Sequence, residues 1–169
     1  ATFHVNECLE IVSKHLPSDH PILGAVYNNR GTVFIRERKY DRALESFQRA
    51  LDLSLRDSQR KSLNVAILHK NIGDNWECQG EYFQALENYH RSLECCDESV
   101  PQLHSIRAAL CESIAYTYSS MGDKSRALSY YQQALEIQER SLPSTHPSIA
   151  VNHDNIACVL ECLGRFEEA

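Results

Sequence analysis

Residues 73–89 read GDNWECQGEYFQALENY, and a similar stretch recurs at a fixed interval in both directions along the chain. Residues 31–47, which lie 42 positions earlier, read GTVFIRERKYDRALESF. Residues 115–131, which lie 42 positions later, read AYTYSSMGDKSRALSYY. A fixed period without insertions is typical of repeat proteins in which each repeat is one supersecondary unit. The repeat therefore decides the fold.

Three columns of the repeat suggest how each unit packs. One holds alanine, one holds a small residue, and one holds a large apolar residue. The alanines are Ala1, Ala43, Ala85, Ala127 and Ala169, the small residues are Gly31, Gly73, Ala115 and Ala157, and the large residues are Phe34, Trp76, Tyr118 and Leu160. We expect the small residues to let two helices approach and the large residues, Trp76 among them, to fill the core between them.

The apolar spacing within each repeat is helical, because Tyr27, Gly31 and Phe34 stand at i, i+4 and i+7. A second helical stripe begins after a break, and the breaks contain glycines that suit a left-handed helix C-terminus. These glycines are Gly80, Gly122 and Gly164. The pattern predicts opening helices near 21–37, 63–79, 105–121 and 147–163, and partner helices near 1–14, 40–56, 82–98 and 124–140.

The predicted fold class is all-α: a right-handed α–α superhelix, or solenoid, of helical hairpins with a 42-residue period. We expect one such array over 1–169, with a partner helix at 1–14, hairpins at about 21–56, 63–98 and 105–140, and a partial hairpin at 147–169. Because stacked neighbours bury each repeat, we also expect exposed apolar stripes at the array ends and end-to-end self-association there.

The repeats resemble the tetratricopeptide repeat family, whose signature is an aromatic residue, two residues, Leu-Gly, two residues and Tyr, then Ala, three residues and Phe. The matching positions are Tyr27-x-x-Arg30-Gly31-x-x-Phe34 with Ala43-x-x-x-Phe47, His69-x-x-Ile72-Gly73-x-x-Trp76 with Ala85-x-x-x-Tyr89, Cys111-x-x-Ile114-Ala115-x-x-Tyr118 with Ala127-x-x-x-Tyr131, and His153-x-x-Ile156-Ala157-x-x-Leu160. The departures are His69, Cys111 and His153 at the first aromatic position, and Arg30 where Leu is usual.

The 42-residue period is longer than the usual period of about 34 residues. Together with the phrases Leu16-Pro17-x-x-His20-Pro21 and Leu142-Pro143-x-x-His146-Pro147, it makes the chain similar to the repeats of kinesin light chain and its relatives. The resemblance implies that the opening helices line a concave groove that binds a partner peptide. It thus implies a non-catalytic adaptor or scaffold.

The resemblance places ten candidate peptide-binding residues on the opening helices. They are Asn28, Asn29, Lys70, Asn71, Asp74, Glu77, Glu112, Tyr116, Asp154 and Asn155. Amides suit a peptide backbone because they both donate and accept hydrogen bonds, and Tyr116 is an aromatic anchor candidate. If the excess of acidic residues is functional, the partner is basic. Alternatively, the asparagines stabilise neighbouring hairpins and the charges merely lie on a solvated helix face.

Composition narrows the remaining function classes. A formal net charge of −6 argues against nucleic-acid binding, and no apolar run approaches the roughly 18 residues of a membrane helix. The seven cysteines, an odd number without Cys-x-x-Cys, are typical of a reducing compartment, so we expect a cytoplasmic protein. Catalytic and nucleotide-binding motifs are lacking, so neither an enzyme nor a cofactor is expected.

Two alternative functions remain open. The repeats could be a regulatory or oligomerising arm of a larger multidomain enzyme whose catalytic domain lies outside this chain. Cys158 and Cys162 stand one helical turn apart and could form a redox or metal sensor. A structural zinc site needs four converging ligands, however, and cysteine also packs as a small apolar residue, so no metal site is predicted.

Overall fold

The fold consists of helices joined by short turns. A computed structural model of the protein describes residues 2–56, 61–96 and 104–165, and within these ranges it contains no strand. The helices are α1 (Thr2–His15), α2 (Pro21–Arg36), α3 (Tyr40–Arg56), α4 (Lys61–Glu77), α5 (Tyr82–Glu94), α6 (His104–Ser120), α7 (Lys124–Ser141) and α8 (Pro147–Cys162). The predicted all-α fold of 42-residue helical repeats is confirmed.

The chain divides into two compact units. The first unit spans Ala1–Cys95 and the second spans Cys96–Ala169. In the first unit, α2 pairs with α3 and α4 pairs with α5, while α1 packs against α2. In the second unit, α6 pairs with α7, and α8 packs against α7. Three of the predicted hairpins are therefore present, whereas residues 166–169 of the predicted partial hairpin lie outside the described ranges.

One predicted boundary is wrong. The partner helix expected to reach residue 98 ends at Glu94, and Cys95 forms its C-cap, with its N–H bonded to the carbonyl of Ser92. Cys96 then leaves the helix and becomes buried, and its carbonyl accepts a hydrogen bond from Arg107 at 3.2 Å. Burial of Cys96 and this bond compete with continuation of the helix. Residues 97 and 98 lie outside the described ranges.

The small column works as expected in the first unit. A Cβ added at Gly31 would clash with the ring of Phe47, and one added at Gly73 would lie 2.5 Å from the ring of Tyr89. Phe47 and Tyr89 are both fully buried. Each ring therefore packs directly against the bare backbone of the opposite helix.

The large column is less uniform than predicted. Phe34, Tyr118 and Leu160 are buried as expected. Trp76 packs against the core formed by α3 and α4 but remains partly exposed. The Trp76 side chain thus contributes to the core without being fully buried in it.

Helix ends follow the sequence closely. Gly80, Gly122 and Gly164 adopt φ values of 78°, 86° and 73°, which confirms the predicted left-handed C-termini. Arg38 occupies the same column and adopts φ of 58°, although a side chain disfavours that conformation. At the N-termini of α2 and α8, the Nδ1 atoms of His20 and His146 accept hydrogen bonds from the N–H groups of Ile22 and Ser148.

Candidate functional site

The first unit has an open cleft between α2 and α4, which are two of the predicted opening helices. Its volume is ≈ 250 Å³.

 The cleft is lined by Pro21, Ile22, Gly24, Ala25, Asn28, Ser54, Asn64, Ile67 and Leu68. Apolar side chains thus sit beside amide groups.

One hydrogen bond joins the two opening helices next to this cleft. The Asn71 side-chain NH₂ donates to Asn28 Oδ1 at 2.8 Å. Both side chains are half-buried. Because each amide has two polar ends, the bond leaves the Asn28 NH₂ group and Asn71 Oδ1 able to bond a peptide backbone.

The structure pairs Asn71 with Asn28 and not with Asn29, its counterpart in the repeat. Asn29 is exposed, does not line the cleft, and its carbonyl accepts a hydrogen bond from Thr32 Oγ1 at 2.8 Å. The asparagine bridge between neighbouring hairpins, which was the alternative interpretation of these residues, is therefore present for Asn71. The same amides can still contact a ligand.

Charged candidates in the first unit are largely engaged with one another. Lys70 Nζ lies 2.8 Å from Asp74 Oδ2, and the hydroxyl of Tyr89 donates to Asp74 Oδ1 at 2.9 Å. Glu77 lies one turn beyond Asp74 and is half-buried. Because Lys70 compensates Asp74, this part of the surface is less acidic than the residue count alone suggests.

In the second unit, one candidate belongs to a polar network. Glu112 Oε1 accepts a hydrogen bond from Gln138 Nε2 at 2.7 Å, and Gln138 Oε1 accepts one from Asn152 Nδ2 at 3.4 Å. Gln138 and Asn152 are both buried. The network links α6, α7 and α8. Glu112 therefore contributes to the packing of these helices, whether or not it also contacts a ligand.

The other candidates of the second unit lie on α6 and α8. Tyr116 is 56% exposed, Asp154 is exposed, and Asn155 is half-buried. An exposed aromatic ring is free to pack against a partner. That these residues and the α2–α4 cleft form one groove stays a prediction.

Several residues of the α2–α4 cleft and of the polar network in the second unit were not predicted from the sequence. Asn64 and Ser54 line the α2–α4 cleft, and Gln138 and Asn152 form the buried network. Asn152 carried a usable signal, because the same column holds Leu68 and Leu110 in the preceding repeats. A polar residue in an otherwise apolar column marks a buried hydrogen-bond network.

Three of the seven cysteines have thiols that burial makes less acidic. Burial raises the pKa of the Cys111 thiol to about 11 and also raises the pKa values of Cys78 and Cys95. The reactive thiolate is disfavoured at these positions. Cys158 and Cys162 are exposed, and no group of three or more metal-ligating side chains occurs within the described ranges.

The helices of the described ranges include none long and apolar enough to cross a membrane.

Sequence profiles described as tetratricopeptide repeat match most of the chain. One profile matches residues 63–140 and 105–169, and a second matches residues 24–57. No curated protein matches the sequence. The predicted repeat family is thus found independently over more than half of the chain.

Several solved structures are similar to this chain. The TPR-like repeats of a kinesin light chain-like protein from Podosopora anserina superpose with a TM-score of 0.77 and 18% identity, covering 99% of this chain and 79% of that one. BtubC (BKLC) from P. vanneervenii gives 0.82 and 22%, covering 98% and 66%. The apo form of RapI gives 0.81 and 18%, covering 96% and 57%. At these identities the likeness shows the fold.

Proposed function

Because the chain belongs to the tetratricopeptide repeat family, whose repeats generally mediate protein–protein interaction, we propose that it binds a partner peptide as a non-catalytic adaptor or scaffold. The observation that carries this proposal is the α2–α4 cleft, where an apolar wall lies beside two bridged amides. Peptide-binding sites commonly combine pockets for side chains of the peptide with hydrogen bonds to its main chain.

The cleft can anchor one apolar side chain of the peptide. Ile22 is 49% exposed, and Ile67 and Leu68 form the opposite wall. Covering this exposed apolar surface would stabilise the complex by about 25 cal/mol per Å² before the cost of association is subtracted. The peptide side chain would thus supply affinity.

The amides beside the cleft can hold the peptide backbone. Asn28 and Asn71 already fix each other through a 2.8 Å bond, so little side-chain freedom is lost when a ligand binds. Asn28 NH₂ would donate to a peptide carbonyl, and Asn71 Oδ1 would accept from a peptide N–H. Backbone contacts of this kind would fix the position of the peptide without demanding a particular sequence.

The second unit can add contacts with the same partner. Tyr116 would provide an aromatic contact, and Asp154 and Asn155 would provide polar ones. Since Asp154 carries a charge on an exposed surface, a basic residue of the partner would be favoured there. The predicted basic partner belongs to this part of the proposal.

A peptide library displayed on phage and selected on the purified chain tests the proposal. Binding of the selected peptides should be weakened about tenfold or more by Ile67→Lys, which places a charge in the cleft, and several-fold by Asn71→Ala. Asn6→Ala, an exposed change on α1, is the matched control and should leave affinity unchanged. Selected peptides that bind all three variants equally would rule out the cleft.

The enzyme-arm alternative, the cytoplasmic location and end-to-end self-association stay predictions. A catalytic domain encoded in the same reading frame would favour the enzyme arm. Fractionation of cells that express the gene would test the location, and sedimentation over a range of concentrations would test self-association.

A further inference from the structure

A second surface of the first unit lies away from the α2–α4 cleft. It is a groove of ≈ 650 Å³ between α3 and α5, with α4 as its floor, and we call it the α3–α5 groove. The floor residues of α4 are His69, Ile72 and Trp76. On a helix of 3.6 residues per turn, these point away from the face that carries Asn64, Ile67 and Asn71 beside the α2–α4 cleft. The groove is therefore distinct from the surface of the proposed function.

The floor of the groove is apolar and incompletely covered. Leu51 and Ile72 are buried, whereas Leu44 and Trp76 pack against the core but stay partly exposed. His69 Nδ1 lies 3.4 Å from Asn88 Oδ1, so the floor of the groove on α4 is linked to its wall on α5. The groove thus offers a fixed apolar strip with an indole at its edge.

The two walls of the groove differ in charge. Asp41 and Glu45 on α3 are exposed and stand one helical turn apart. On α5, Arg91 pairs with Glu87 at 2.7 Å, so that wall is compensated. No ion pair of Asp41 or Glu45 is found within the described part of the chain. The groove therefore has an acidic wall on one side only.

We propose that the α3–α5 groove binds a basic amphipathic helix of a partner protein. Its apolar face would cover Leu44 and Trp76, and Lys or Arg residues one turn apart would face Asp41 and Glu45. The lining of α3 runs from Asp41 to Leu51, which is roughly 15 Å of helix and suits two to three turns of a partner helix. The charge asymmetry fixes which edge of that helix faces α3.

Trp76 makes the proposal directly measurable, because it is the only tryptophan of the chain and lines the groove. The probe is a synthetic, end-capped helical peptide with Leu at i, i+4 and i+7 and Lys along one edge. Titration at low salt should shift Trp76 fluorescence in a saturable way. The same peptide with Glu in place of Lys should bind about tenfold more weakly.

Charge variants test the acidic wall. The double variant Asp41→Asn with Glu45→Gln should weaken binding of the Lys peptide about five- to tenfold, since exposed charge pairs contribute modestly each. Asp19→Asn with Glu139→Gln makes the same change in net charge at exposed positions outside the groove, and it should change affinity less than about twofold. Melting curves of both double variants check that the fold is intact.

Further outcomes separate this proposal from the proposed function. Asn71→Ala should leave Trp76 titrations with the Lys peptide unchanged, although it weakens the binding of peptides selected on the α2–α4 cleft several-fold. The proposal is overturned if the Lys peptide causes no saturable shift, if the Glu peptide binds as tightly, or if both double variants weaken binding equally. A shift on concentrating the protein alone would also overturn it, because the occupant would then be a second copy.

Discussion

The hairpins α4–α5 and α6–α7 share one repeat pattern but pack differently. In α4–α5, the ring of Tyr89 lies so close to Gly73 that a Cβ there would be 2.5 Å away. In α6–α7, the same column holds Ala115, which is fully buried, and Tyr131 occupies the position of Tyr89. The second hairpin therefore accommodates a methyl group that the first excludes. Residues in one column need not tolerate the same substitutions.

The two hairpins also differ in their aromatic contacts. Tyr118 of α6 stacks on Tyr130 at 5.7 Å between ring centroids, and the guanidinium of Arg126 lies 4.6 Å above the Tyr118 ring. In α4–α5, the equivalent of Tyr118 is Trp76, which lines the open α3–α5 groove. The aromatic residue at this repeat position thus completes a packed cluster in the second unit. In the first unit, it lines the groove that we propose as a binding surface.

The largest expected effect is at Gly73. Gly73→Ala should destabilise the protein by about 2–3 kcal/mol, because the overpacking cost exceeds the gain of up to about 1 kcal/mol in helix propensity. Gly24→Ala is the matched control, since its Cβ would meet no atom closer than 3.8 Å, and it should be neutral or stabilising. Urea unfolding of both variants measures the difference. A stable Gly73→Ala variant would mean that Tyr89 moves aside easily.

The next effect concerns the buried network of the second unit. Gln138→Leu should destabilise by about 2 kcal/mol, because Glu112 and Asn152 would each lose a partner in a buried setting. Asn71→Ala, which breaks the Asn28 bridge at a half-buried position, should cost less, about 1 kcal/mol or below. Thermal or urea unfolding of the two variants would show which one loses more stability. Equal losses would contradict the contrast between a buried and a surface network.

A smaller effect is expected at the helix C-termini. Arg38 adopts a left-handed φ of 58° where the other three repeats have glycine. Arg38→Gly should stabilise the protein by about 1 kcal/mol, and Gly80→Ala should destabilise it by a similar amount. Unfolding curves of the two single variants test this. Loss of stability in Arg38→Gly would show that the Arg38 side chain contributes contacts that outweigh its backbone strain.

The smallest effect is a pH dependence at His69. Burial lowers its pKa below the usual value, opposed by the hydrogen bond to Asn88, so the folded protein favours the neutral ring. The stability contribution of neutral His69 is therefore present above the unfolded pKa of about 6.5 and is lost as pH falls through the lower folded value. Melting temperatures of the wild type should fall more on acidification than those of His69→Gln. If the two melting temperatures had the same pH dependence, His69 would not be the cause of the loss of stability in acid.

Periodicity predicted most of the fold because it reports which side of a helix each residue occupies. It predicted the column of small residues and the glycines at helix ends. It also predicted the bounds of seven helices to within about two residues, wherever those ends lie in the described ranges. It overran the end of α5, where burial of Cys96 and the Arg107 bond to its carbonyl, contacts of the folded chain, compete with the local helical pattern. It also aligned Asn29 with Asn71, although the hydrogen bond forms with Asn28.

The sequence alone determined the all-helical repeat, its register and its family, because 42-residue periodicity and glycine placement are local properties of the chain. Only the tertiary structure decided which polar residues meet. The Asn28–Asn71 bridge, the Lys70–Asp74 pair and the α3–α5 groove depend on how one helix lies against the next, to within the few tenths of an ångström that a hydrogen bond allows. A repeat pattern specifies neighbouring helices but not these distances.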